Sequence, residues 1–271
     1  MTIVTKLNDF TLPSTVGFPR LERDSLINDG SVFMLDFANK YCYADQGATV
    51  PIAVGTEFVD LVRDVATSKV EGSSVPSFAG GGLGFTVASN SQFVKVTQAS
   101  DAAELSADTN EFLLVAWFKF AGMLAGQANA TYPIAGATHN NSTEMQSMVS
   151  VYAPDGEVPE LQIGANQYRA ETPVTLGAVA QVAVYCKNNQ DGTFTNRYFK
   201  DGVQFDTQTY AATQLVVPVS STGFRLANLS GFNGAWDGSI YRVWQEKTDV
   251  AGTDPAVAVA LDYSKNVGRF S

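Results

Sequence analysis

Residues 111–120, Glu-Phe-Leu-Leu-Val-Ala-Trp-Phe-Lys-Phe, constrain this chain more than any other stretch. The run is almost continuously apolar and rich in aromatic and branched side chains. It predicts a strand whose two faces are both covered, as in the middle of a layered β-structure. Such a strand needs neighbours on both edges and a layer above and below, so the rest of the chain must supply them.

The rest of the chain has the matching pattern. From about residue 76 it breaks into short strand-like runs punctuated by turn residues. Gly80, Gly81 and Gly82 precede a run at 83–87, and residues 92–96 alternate Phe93 and Lys95 with Val94 and Val96. Further strands are expected at 145–152, 160–164, 181–188, 194–200 and 223–229, with a last core strand at 237–245. Asn189-Gln-Asp-Gly192 and Lys200-Asp-Gly202 have the composition of hairpin turns. Residues 57–65 place Phe58, Leu61, Val62 and Val65 at helical spacing, yet the segment is short and uncapped, which favours loop and strand.

The two ends read differently. Residues 1–50 predict an irregular N-terminal arm, kept out of helix by Pro13 and Pro19, with one extended piece at 31–37. Asp254-Pro255 predicts a helix start, with Asp as N-cap, Pro at the first helical position and Gly268 as the stop. The expected organisation is an arm (1–50), one sandwich (51–250) and a helical tail (251–271). The fold class is all-β: an antiparallel two-sheet jelly-roll sandwich with one short C-terminal helix.

The chain has 17 Lys and Arg against 27 Asp and Glu, a net charge of -10, and no basic run, which argues against nucleic acid as a ligand. No stretch approaches the roughly 18 apolar residues that span a bilayer, and the start lacks the apolar core of a signal peptide. A soluble protein made in the cytoplasm is expected. Cys42 and Cys186 are too few for a disulfide framework and are expected as buried free thiols, with a single bridge as the alternative.

The order of these pieces resembles the concanavalin A-like lectin/glucanase superfamily, laminin-G-like and pentraxin-like domains in particular. The resemblance covers about residues 56–246 in five parts: 57–61 with the Gly-rich approach to 83–87; 90–96; the central strand ending in Trp117; Tyr198-Phe-Lys-Asp201-Gly202-Val203 as an aromatic-x-Asp-Gly hairpin; and 224–234 followed by Asp237-Gly-Ser-Ile-Tyr-Arg-Val-Trp244. Tyr241 stands where the family often has an acidic residue. Such domains occur in structural proteins of tailed bacteriophages, without a signal peptide and with an added N-terminal arm. The resemblance therefore implies a virion component, such as a head decoration, head fibre, tail or collar protein. It would be a homo-oligomer assembled with capsid or tail subunits in the host cytoplasm. A lectin-like module binding a surface glycan for host attachment is the alternative, and a glycoside hydrolase the third.

Candidate chemistry is sparse. A hydrolase needs two carboxylates flanking the scissile bond, about 5–5.5 Å apart in a retaining enzyme. The related glucanases supply them as Glu-x-Asp-x-x-Glu on one strand, a spacing absent here. Asp155, Glu157 and Glu160 are interrupted by Pro154, Gly156 and Pro159 and read as a turn, so no catalysis is expected. His139 is the only histidine, which leaves zinc and nucleophile–base triads without partners. Calcium could use oxygen-rich loops at Asp155 with Glu157, Asn189 with Asp191, or Asn228 with Asn233. For sugar contact, Trp236 in its Gly-rich turn is the foremost aromatic, followed by Tyr132 and Tyr168, whereas Trp117 and Trp244 belong to the core.

Overall fold

A computed structural model describes residues 24–45, 50–86, 92–96, 111–123, 130–138, 145–153, 160–165, 168–211, 224–227 and 236–270. Its strands form two antiparallel sheets. The first contains β1 (Ser31–Asp36), β2 (Val50–Pro51), β5 (Ser77–Ala79), β6 (Gly82–Phe85), β8 (Glu111–Met123), β13 (Val179–Asn188), β14 (Thr193–Lys200), β15 (Val203–Ala211) and β17 (Trp236–Glu246). The second contains β3 (Glu57–Asp60), β4 (Val65–Glu71), β7 (Phe93–Val96), β9 (Ala130–Thr138), β10 (Met145–Ala153), β11 (Glu160–Ala165), β12 (Tyr168–Pro173) and β16 (Phe224–Leu226). The expected two-sheet, all-β sandwich with a C-terminal helix is the fold observed.

The order of the first sheet is β15-β14-β13-β8-β17-β6-β5-β2, which puts the apolar stretch of β8 between β13 and β17 near its middle. Phe112 to Phe118 and Phe120 are all buried, so both faces of β8 are covered, as its composition requires. One face looks into the sandwich, where rings from the two sheets meet. Phe33 contacts Phe224 edge-on at 5.4 Å between centroids, and Phe120 lies 5.5 Å from Tyr132. The second sheet runs β12-β11-β10-β9-β16-β7-β4-β3, and its β4 and β7 alternate buried Val70, Val94 and Val96 with outward Lys69 and Lys95.

The opposite face of the first sheet is roofed by the C-terminus. α1 (Thr248–Ala251) leads into α2 (Pro255–Asn266), where Asp254 caps the helix by accepting a hydrogen bond from the Ala256 amide at 2.8 Å. Tyr263 of α2 stacks on Trp117 at 5.7 Å, and Phe270 meets the same indole edge-on.

The expected arm is corrected over residues 24–45. β1 pairs antiparallel with β17, and Leu26, Ile27, Phe33, Met34, Leu35, Phe37 and Cys42 are part of the core, so this segment belongs to the sandwich. An edge of β17 was available at residues 242–246, beside the shorter pairing of β6 at 238–240, and β1 fills it. Residues 1–23 lie outside the described residues. Residues 57–65 form strand and turn, and β2, β4, β5, β9, β12, β15 and α1 are additional elements.

Candidate functional site

The densest group of charged side chains among the described residues lies under α2. Asp36 on β1, Arg242 on β17, Trp117 on β8 and Gln181 on β13 are successive register partners, so four strands present one row. α2 lays Asp262 over it. The Asp262 carboxylate accepts from Trp117 Nε1 at 2.6 Å and Gln181 Nε2 at 2.7 Å, and lies 3.0 Å from Arg242 Nε. Arg242 Nη1 donates to Asp24 at 2.6 Å and to Asp36 at 2.7 Å, and Arg269 also binds Asp36. Burial works to lower the Arg242 pKa, but Asp262, Asp24 and Asp36 raise it above its ordinary value. Burial likewise works to raise the Asp24 carboxyl, and Arg242 beside it holds the pKa below the usual range.

Asp36, Asp262, Arg242 and Gln181 are each 0% exposed, so these four cannot meet a ligand, and only Asp24 and Arg269 at the rim reach solvent. The arrangement fastens the chain ends to the sheet. No sequence motif announces it, since its members come from five separate elements.

The residues singled out in the sequence fall at several places. Tyr132 is a correction: it is 0% exposed, with its ring against Phe120 in the interior, and cannot offer a face to a sugar. Trp236 opens β17 opposite Met123, and Tyr168 opens β12 opposite Ala165, so both backbones sit at strand ends; their side chains lie outside the described residues. Asp155, Glu157, His139, Asn228 and Asn233 also lie outside them. Asn189 donates to the hydroxyls of Thr193 and Thr195 at 2.9 and 3.0 Å, while Asp191 accepts from the Thr193 amide and hydroxyl. These polar atoms close the β13–β14 hairpin. Cys42 and Cys186 are buried and unbridged, and burial pushes the Cys186 thiol up to about 12, which makes it a poor nucleophile. Trp117 and Trp244 are core residues, as expected.

One accessible feature escaped the sequence reading. Across the outer face of the second sheet, Glu57 on β3 opposes Lys69 on β4, Lys69 opposes Lys95 on β7, and Lys95 opposes Arg225 on β16. Three cations thus stand side by side on adjacent strands. With strands spaced about 4.8 Å apart, their backbones span roughly 10 Å, the length of a disaccharide or so. Phe93 lies beside them, with the Arg225 guanidinium 4.3 Å from its ring centroid, and Lys69 reaches Glu71 at 3.2 Å. Lys69, Phe93, Lys95 and Arg225 are all partly accessible.

No protein-family model and no curated protein matches the sequence. Solved structures do. The sialidase of Trypanosoma rangeli in complex with sialic acid superposes with a TM-score of 0.56 at 13% identity, over 91% of this chain and 34% of that one. Botulinum neurotoxin type C, whose passage into cells depends on interaction with two ganglioside molecules, gives a TM-score of 0.54 at 12% identity, over 88% of this chain and 52% of that one. Both superpose on the two-sheet antiparallel β-sandwich. Identity at this level establishes the fold and nothing finer. The chain spans about a third of the sialidase and about half of the toxin chain. Among the described residues no group of three or more His, Cys, Asp or Glu is placed to hold a metal ion, and no helix is long and apolar enough to cross a membrane.

Proposed function

We propose that this chain is a non-catalytic, lectin-like module that recognises a glycan on its surface. The observation that carries the reading is the accessible row of Lys69, Lys95 and Arg225 with Phe93, a polar and aromatic face of the kind sugars contact, on a sandwich. The likeness of that sandwich to chains from a sialic-acid-bound sialidase and a ganglioside-dependent toxin supports it. Asp36 and Asp262 beneath α2 are engaged with cations and closed to substrate, so those two carboxylates do not form a catalytic pair. A glycan array probed with the whole chain is the test. The reading expects a small set of related glycans to be retained; uniform silence across the array, or turnover of any arrayed sugar, refutes it.

Assembly into a phage virion, as a head or tail component, is the second reading. What favours it is β15, a nine-residue strand at the end of its sheet with Val203 66% and Phe205 38% exposed and Asp206 as its one charge. A long edge strand with so few charged residues suits pairing with a further chain. Sedimentation at rising concentration then yields a defined oligomer; a monomer throughout, together with a chain that does not sediment with particles, removes this reading.

A further inference from the structure

We infer that the ligand of this face is an acidic oligosaccharide, held through its anionic group by Lys95 with Lys69 and Arg225 on either side. The inference rests on the glycan reading above and gives it a ligand class. Its basis is an electrostatic anomaly. Like charges directly opposite one another on neighbouring strands destabilise a sheet. Here two such pairs follow in succession, Lys69 with Lys95 and Lys95 with Arg225, in a chain with ten more acidic than basic residues. A face that needed only solvation is served equally well by alternating signs, as the Glu57–Lys69 pair beside it illustrates.

The local setting prepares the cations for an anion. Arg225 is fixed over the Phe93 ring, which removes rotamer freedom that a ligand would otherwise have to restrain. Burial works to lower its pKa, with Glu71 opposing, so the guanidinium has given up part of its hydration without leaving the surface. Lys69 is 44% exposed at its side chain and leans to Glu71, which leaves Lys95 at the middle of the row. An anion over Lys95 replaces the repulsion along the row with two or three favourable contacts. A planar carboxylate or a sulfate provides the same charge, and a sugar ring can lie along the roughly 10 Å row.

The test is calorimetric titration of the full chain with 3′-sialyllactose, a heparin-derived hexasaccharide and neutral lactose, in 50 and 300 mM salt. At least one acidic glycan should bind ten-fold or more tightly than lactose, and weaken in the higher salt. The arm that binds separates carboxylate from sulfate. Lys95→Glu and Arg225→Gln should each reduce that binding at least ten-fold, and Lys95→Gln, which cannot disturb the fold by charge reversal, should reduce it measurably. Equal binding of lactose and the acidic glycans overturns the inference. So does acidic-glycan binding that all three variants retain, although glycan recognition itself then stands. Failure to bind any glycan, here and on the array, removes both.

Discussion

Asp262 receives Trp117, Gln181 and Arg242 on one carboxylate, so its loss weakens all three at once. Asp262→Ala leaves the Arg242 guanidinium buried with one fewer counter-ion, takes the acceptor from Trp117 Nε1, and leaves Gln181 Nε2 with the Val259 carbonyl alone. The expected cost is about 3–5 kcal/mol, read from urea denaturation, and a cost under about 1 kcal/mol contradicts the assigned role. Glu246 presents the opposite case. It is 1% exposed, receives one hydrogen bond from Asn28, and burial raises its pKa. A carboxyl raised in the folded state contributes stability below its unfolded pKa, near 4.3, and loses it as pH climbs through the raised value. Glu246→Gln should therefore melt higher than the parent at pH 7, with the difference closing at pH 4. Neither residue was legible in the sequence. A lone Asp in an Ala- and Val-rich helix reads as its solvent side, and its partners lie 81 and 145 residues away for Gln181 and Trp117.

Single elements were more legible than their pairing. The 111–120 run announces a doubly covered central strand, and Asp254-Pro255 announces the helix start, because each signal is local: apolar continuity in one, a cap and a fixed φ in the other. β15 was missed because Val-Gln-Phe-Asp-Thr-Gln-Thr-Tyr-Ala alternates weakly, as an edge strand with much exposed surface does. Register was illegible altogether. Lys69, Lys95 and Arg225 stand alone in the sequence, where the absence of a basic run argued only against nucleic acid; the pairing of β4, β7 and β16 gathers them. The repulsion in that row predicts that Lys95→Thr, a good strand former, stabilises the chain by about 0.2–1 kcal/mol in thermal melts while acidic-glycan binding falls. A destabilised variant contradicts the repulsive account of the row.

At the level of the whole molecule, the chain ends close the structure. β1 completes an edge of β17, α2 roofs Trp117, and Asp24, Asp36, Asp262 and Arg269 join both ends to Arg242 or to one another's partners. An arm draped over a neighbour could be deleted harmlessly; β1 cannot, because Phe33, Met34 and Leu35 are 0–1% exposed. Deleting residues 1–50 should abolish cooperative thermal unfolding and near-ultraviolet dichroism, and a truncated chain that still melts sharply contradicts this arrangement. The proposed glycan face lies on a surface these ends leave open, the outer side of the second sheet.

Amide chemical shifts during titration with the tightest-binding acidic glycan test that claim most directly. The account predicts that the largest shifts cluster on β4, β7 and β16, at Lys69, Phe93, Lys95 and Arg225. Shifts confined to the far edge of the first sheet, with these four residues unmoved, would contradict it.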